Sequence, residues 1–376
     1  VSRRRGGVRD AVASAARRGA LALLLPAMVG CAGDAPTPGI PDAPPDDLPP
    51  RRVEKPRWER VFRVGGEPGD TLLFHVTRID ADTAGVSVVD GYGGRVLRFH
   101  RTGRLLWSFG RPGSGPHEFR RPRDLHVDRR GRTWVLDAEN ARITVLTPAG
   151  APDFLVPLDR LGFVPDRFLP GPGDHALFLD ARADRPLVRV DREGRVVARR
   201  ELPWPRFREL GRLAGQVILA AHRGGGWSAA FAFGDRFLSF DRRDRLTRHG
   251  WFAEPASFPE VRVQRSGGLV GRRSVTRRIL DPTFAAVSLT SSPGRLHVHF
   301  AGRTELAYRV LDTFRLRDGR YVGSLRLPRQ VDELALGGEV LYVSYSDPYP
   351  TLEAWRPVGI SPPWAAAPPP ETGAAP

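Results

Sequence analysis

The chain is poor in lysine, cysteine and methionine. Lys55 is the only lysine, so arginine supplies nearly all of the 58 basic residues. The single cysteine, Cys31, excludes an intrachain disulfide and a cysteine-built zinc cluster. There is no P-loop, no G-x-S-x-G elbow and no H-x-x-x-H pair for one helix face, so the usual signatures of nucleotide hydrolysis, serine-esterase chemistry and zincin proteolysis are missing. The one apolar run near the start, Ala20–Val29, is too short to span a bilayer. Acidic residues are also in deficit, 42 against 58, which leaves a net charge of +16. So complete a use of arginine, in a chain rich in Ala, Pro and Gly, is what a GC-rich genome produces. A polyanion-binding surface is the functional alternative.

What is abundant is turn chemistry. Glycine (41) and proline (36) suit an all-β chain with many hairpins. The first thirty residues have a different character. Arg3, Arg4, Arg5, Arg9, Arg17 and Arg18 precede Ala20–Val29, and Met28-Val29-Gly30-Cys31 follows. A basic leader, a short apolar core and small residues at a cut form a secretory signal. The segment resembles the lipobox of bacterial lipoproteins, with Met28 where leucine is usual. That resemblance implies a diacylated Cys31 as the new N-terminus, and export to the cell envelope on the periplasmic face or the outer membrane. Loss of residues 1–30 would lower the charge to about +11. Residues 31–56, with eight prolines and few apolar groups, read as a tether from lipid to domain, and 361–376 as a disordered tail.

Between them, residues 57–360 read as one repeat domain. Its clearest unit is Ser108–Gly150, where Leu125–Asp128, Thr133–Leu136 and Arg142–Thr147 alternate as strands and Arg129-Arg130-Gly131 and Ala138-Glu139-Asn140 supply turns. With its glycine-rich turn, Glu118-Phe119, Pro122, Asp128, Gly131, Val135–Asp137 and Asn140/Arg142, the stretch resembles an NHL repeat. Val88-Val89-Asp90 and Leu97–Phe99 repeat the pattern 47 residues earlier. Weaker units follow at Leu177–Asp180, Val217–Ala221, His297–Phe300 and Leu341–Tyr345. Six units of about 40–47 residues predict a six-bladed β-propeller of four-stranded antiparallel blades. The long gap before His297 predicts an insertion at about 255–278. Trp58–Val64 precedes the first full unit, and the last lacks a fourth strand. The N-terminal strand is therefore expected to join the last blade and close the ring.

Asp90 and Asp137 end strands at hairpins, with Arg95 and Arg142 beginning the next, and are assigned to blade structure. Propeller ligands bind where inner strands begin. There Arg78 and Arg123 would form a positive ring for an anion, with His126 beside them. Val89-Asp90-Gly91-Tyr92 is similar to a strand-end segment of peptide-amidating lyases, which are also NHL-type propellers and carry an active-site tyrosine there. This makes Tyr92 a ligand-binding candidate. The likeness breaks where that family places zinc-binding histidines: Pro122 is followed by Arg123, and the equivalent place in the first unit is Thr77-Arg78. His297-x-His299 reads as a polar strand face. No catalytic or metal-ligating residue is assigned and no cofactor is implied. The resulting expectation is a monomeric, lipid-anchored module binding an envelope protein, peptide or anionic glycan. The alternative is a lyase or lactonase-like hydrolase with calcium or zinc in the central channel. Some NHL propellers hold RNA, but export removes nucleic acid from the expected partners.

Overall fold

The computed structural model describes residues 40–364, except 42, 181, 203, 205–206, 208–215, 259, 268–272 and 281–282. Cys31 and the leader lie outside them.

Six four-stranded antiparallel sheets follow one another as blades. They span Val76–Phe109 (blade 1), Pro122–Pro157 (blade 2), Leu169–Arg200 (blade 3), Val217–Trp251 (blade 4) and Ala286–Arg326 (blade 5). Blade 6 consists of Glu333–Gly337, Val340–Tyr345, Thr351–Val358 and, as its outer strand, Arg57–Gly65. The two chain regions pair from Arg57↔Val358 to Gly65↔Thr351, which closes the ring. The inner strands of blades 6, 1 and 2 pack side by side, as do those of blades 3, 4, 5 and 6. The 2–3 seam is joined through Phe168 N, which donates to Asp124 Oδ2 at 3.0 Å.

Among the described residues there is no single central core: apolar side chains form six clusters, one in each seam between neighbouring blades. In the 2–3 seam, for example, Trp134 and Val145 meet Phe168 and Phe178. Middle strands such as Gly85–Asp90 and Thr133–Asp137 are therefore buried on both faces. Outer strands such as Pro152–Pro157 alternate between buried and exposed positions.

Three elements differ from the sequence reading, and the stretch between blades 4 and 5 takes a form that it left open. Val217–Ala221 is the innermost strand of blade 4, and the second strand is Trp227–Phe231. Apolar content alone does not tell one strand of a blade from the next. Residues 260–267 and 273–280 form a two-stranded ribbon between blades 4 and 5. Residues 40–56, expected in a free tether, run along the wall of the propeller. Ile40 packs into the blade 3–4 cluster, and Arg51 pairs with Glu254 at 2.5 Å and Asp312 at 2.8 Å while lying over the Phe300 ring. Val53–Glu54 adds in parallel to the outer edge of blade 5. Proline keeps this segment extended, but Ile40 and Arg51 find buried partners. Finally Trp364, expected in the tail, is 3% exposed and stacks on Trp58 at 6.4 Å.

Candidate functional site at the channel mouth

Every inner strand begins on the same face of the disk, and the turns joining second to third strands lie there too. In blades 1, 2 and 5 the inner strand carries an irregularity at this end, between Val76 and Arg78, Pro122 and Asp124, and Ala286 and Leu289. A bulge re-aims the side chains that follow it. Here it precedes the charged side chains of blades 1 and 2 and Ser288 of blade 5.

Arg78 is 4% exposed and bridges two blades, with Nε 3.2 Å from Asp124 Oδ1 and Nη1 2.9 Å from Glu333 Oε2. Ser288 Oγ of blade 5 donates to the same Glu333 oxygen at 3.0 Å. His126 sits between Asp124 (3.4 Å) and Asp80 (3.6 Å), edge-on to Phe168. Burial works against the imidazolium, but Asp124 and Asp80 outweigh it and raise the pKa to about 9. Burial alone would push Asp124 up; His126, Arg167 and Arg78 reverse this and hold it well below the usual carboxylate range. Glu333 is raised, because burial exceeds the pull of Arg78 and Arg167. Arg78, Arg167 and protonated His126 thus stand against Asp80, Asp124 and Glu333, and the axis is electrically balanced.

Arg78 and Arg123 consequently do not form an open positive ring. Arg78 is held between carboxylates, and Arg123 pairs with Asp166 from the loop entering blade 3. Strand alternation marked the arginines, but their acidic partners arrive from other blades. Tyr92 is 77% exposed at the rim, stacked on His75 at 4.6 Å. Asp90 Oδ1 accepts from His75 N (3.0 Å) and Gly93 N (3.2 Å), and Oδ2 accepts from Arg95 Nε (3.1 Å). Asp137 accepts from Arg121 N at 3.0 Å and Asn140 Nδ2 at 2.6 Å, while Arg142 donates to the carbonyls of Gly115 (2.7 Å) and Glu118 (2.6 Å). These bonds fix the loops that deliver the chain into the inner strands. His297 is occupied by Ser292 (2.8 Å) and Thr313 (3.0 Å).

The axis opens into a cavity of about 690 Å³ on the side of blades 3–5, walled by Phe163, Val164, Ile218, Phe284 and Tyr308, with Glu333 and Arg123 among its polar groups. Asp80, Asp124, Arg167, Ser288 and Glu333 went unassigned in the sequence reading. The signal for the first two was a charged residue at alternate positions of a strand, as in Arg78-Ile79-Asp80 and Asp124-Leu125-His126.

No family model matches the chain. A 67-residue stretch is 39% identical to human NHL repeat-containing protein 3 and 37% identical to its mouse counterpart. This stretch is similar to an NHL repeat. It covers 17% of this chain, and the chain spans about a fifth (19%) of the length of those relatives. Among solved structures, virginiamycin B lyase from Staphylococcus aureus is 12% identical, with 80% of this chain and 100% of that one covered and a TM-score of 0.49. BamB from Moraxella catarrhalis is 14% identical over 79% and 89%, with a TM-score of 0.39. No residue role is carried over from either.

Proposed function

We propose that this protein is an extracytoplasmic binding module, held to a bacterial membrane by lipid on Cys31, whose channel mouth receives a protein or peptide segment. The observation that carries the binding reading is the one-sided distribution of exposed apolar groups. Phe74, Tyr92, Val164, Phe284 and Tyr349 are 40–77% exposed, and all lie on loops of the mouth face. Among the described residues the other exposed large apolar side chains, Leu105, Leu106, Leu155, Val196 and Val197, lie on outer strands. A rim of this kind around a concave site marks an interaction surface. The axis, where Arg78 and His126 are held against Asp80, Asp124 and Glu333, favours a peptide with an apolar anchor over an anionic glycan.

The lyase or hydrolase alternative gains nothing from the donor set. Among the described residues no three His, Cys, Asp or Glu side chains converge to hold a metal. At the axis the Arg78 guanidinium itself stands between the carboxylates. The test is a photoreactive phenylalanine analogue placed at Phe284, and at Arg130 on the opposite face, in cells retaining their envelope. Discrete protein adducts from position 284 alone are expected. Equal labelling from both positions, or none from 284, refutes the reading.

A further inference from the structure

Two polar side chains in the wall of the cavity beside the axis have bonding capacity that the protein does not use. Glu333 is 8% exposed. Its Oε2 takes both Arg78 and Ser288. Its Oε1 accepts from no group among the described residues. Arg167, in the loop entering blade 3, is half-buried. Its Nη1 donates to the carbonyls of Arg123 (3.3 Å) and Asp166 (3.2 Å), and among the described residues the guanidinium enters no ion pair. Both side chains line the cavity of about 690 Å³. Other charged groups of that wall are engaged with each other, Arg123 with Asp166 and Arg182 with Asp180 at 3.6 Å.

Much of the remaining wall is apolar and held in place. Phe163 stands edge-on to the buried Phe178, and Phe284 lies against Phe233 at 4.4 Å. Tyr308 has a φ of 59°, a left-handed conformation that a bulky residue keeps only where its surroundings impose it. Here they do. Tyr308 N donates to Phe300 O at 2.9 Å, and Tyr308 O accepts from Val331 N at 3.1 Å. Backbone strain is thus tolerated at a residue that walls the cavity. An apolar wall with a few polar groups, at this volume, suits a ligand site, which typically measures about 300–1,000 Å³.

We propose that this cavity anchors the bound segment by an internal peptide group beside an apolar side chain. The peptide carbonyl accepts from Arg167, its N–H donates to Glu333 Oε1, and the neighbouring side chain lies against Phe163, Ile218, Phe284 and Tyr308. This rests on the reading of the mouth as a protein-binding face and names what the anchor carries. Charge decides against a chain end. An ammonium gains Glu333 but meets Arg167, and a carboxylate gains Arg167 but meets Glu333. A peptide group is neutral and brings one donor and one acceptor. Burial also raises the pKa of Glu333, which weakens it as a partner for a cation. An amide pairs with either form of the carboxyl, donating to the ionised one and accepting from the protonated one.

The experiment titrates N-acetyl-leucinamide, N-acetyl-leucine, leucinamide and leucine against the whole protein, followed by saturation-transfer NMR. The first carries amides and no charge; the others carry a negative charge, a positive charge and both. The neutral probe is expected to bind at least about fivefold more tightly than each of the others. R167M should weaken it by about tenfold, through loss of a charged donor. R182M removes a paired cation from the same wall and should change it by about twofold or less. E333Q removes the group that repels a carboxylate, so N-acetyl-leucine should gain on the neutral probe by about fivefold. Tightest binding by leucine, by N-acetyl-leucine or by leucinamide overturns the proposal. So does equal loss in R167M and R182M, or the absence of saturable binding by the neutral probe. The series on the wild-type protein decides this even if a variant fails to fold. Crosslinking from position 284 reports separately on the mouth: discrete adducts there, with no binding of the neutral probe, remove the anchor and leave the binding face standing.

Discussion

Replacing Arg78 by methionine removes a cation and keeps the volume of the side chain. Asp124 and Glu333 then face each other's blades without the guanidinium that lies 3.2 Å from one and 2.9 Å from the other. Arg78 is 4% exposed, so water does not take its place. Deleting one partner of a buried ion pair costs about 3–5 kcal/mol, mostly because the remaining charge stays desolvated. For a domain of this size, with a urea dependence of about 2–3 kcal/mol per molar, the unfolding midpoint should fall by about 1–2 M. Tryptophan fluorescence would follow the transition. The sign of the pH dependence is fixed as well. Glu333 already has a raised pKa in the folded state, and loss of Arg78 raises it further. The deficit should therefore shrink as pH falls and the native carboxyl takes up its proton. Adding E333Q to R78M should recover part of the loss at neutral pH. A midpoint unchanged within about 0.3 M would refute the view that this guanidinium pins blades 6, 1 and 2 together.

Other measurements probe other parts of the molecule. His126 titrates near 9 when folded against 6.5 in an unfolded chain, so it contributes about 3 kcal/mol below pH 6.5, lost as pH rises through 9. Between those values the wild-type protein should lose more stability than H126Q, and parallel curves would contradict this. W364A, or truncation after Ser361, should cost about 3–5 kcal/mol and lower the melting temperature by several degrees, because an almost fully buried indole leaves a cavity beside Trp58. In detergent phase separation the wild-type protein should follow the detergent and C31S the water. If both stay in the aqueous phase, lipid anchoring is wrong.

The propeller was legible because its strands are local: alternation and turn residues mark each hairpin, and a spacing near 45 residues repeats them. Closure was legible because one strand was spare at the start and one was missing at the end. The site was half legible. Arg78, Arg123 and His126 were placed at the right end of the right strands, but their electrostatic role was not. Arg78 and Glu333 are 255 positions apart and meet only when the ring shuts. No pattern within a blade predicts that encounter. Residues 40–56 were misread because proline-rich composition describes a segment's own preference and says nothing about a groove built by residues 200 positions later. Arg51 reaching Glu254 is an example. Trp364 was lost in the same way, among alanines and prolines.

The pairing of Arg57–Gly65 with Thr351–Val358 has a consequence for biogenesis. Arg57–Gly65 is made before the other strands of the six blades, and the neighbour it needs, Thr351–Val358, after them. Until then it presents a bare edge, and blade 1 has a neighbour on one side only. Five blades can assemble as they emerge, but the disk locks only once Thr351–Val358 has followed. A holding chaperone would therefore have to cover that waiting strand until the rest of the sixth blade is made.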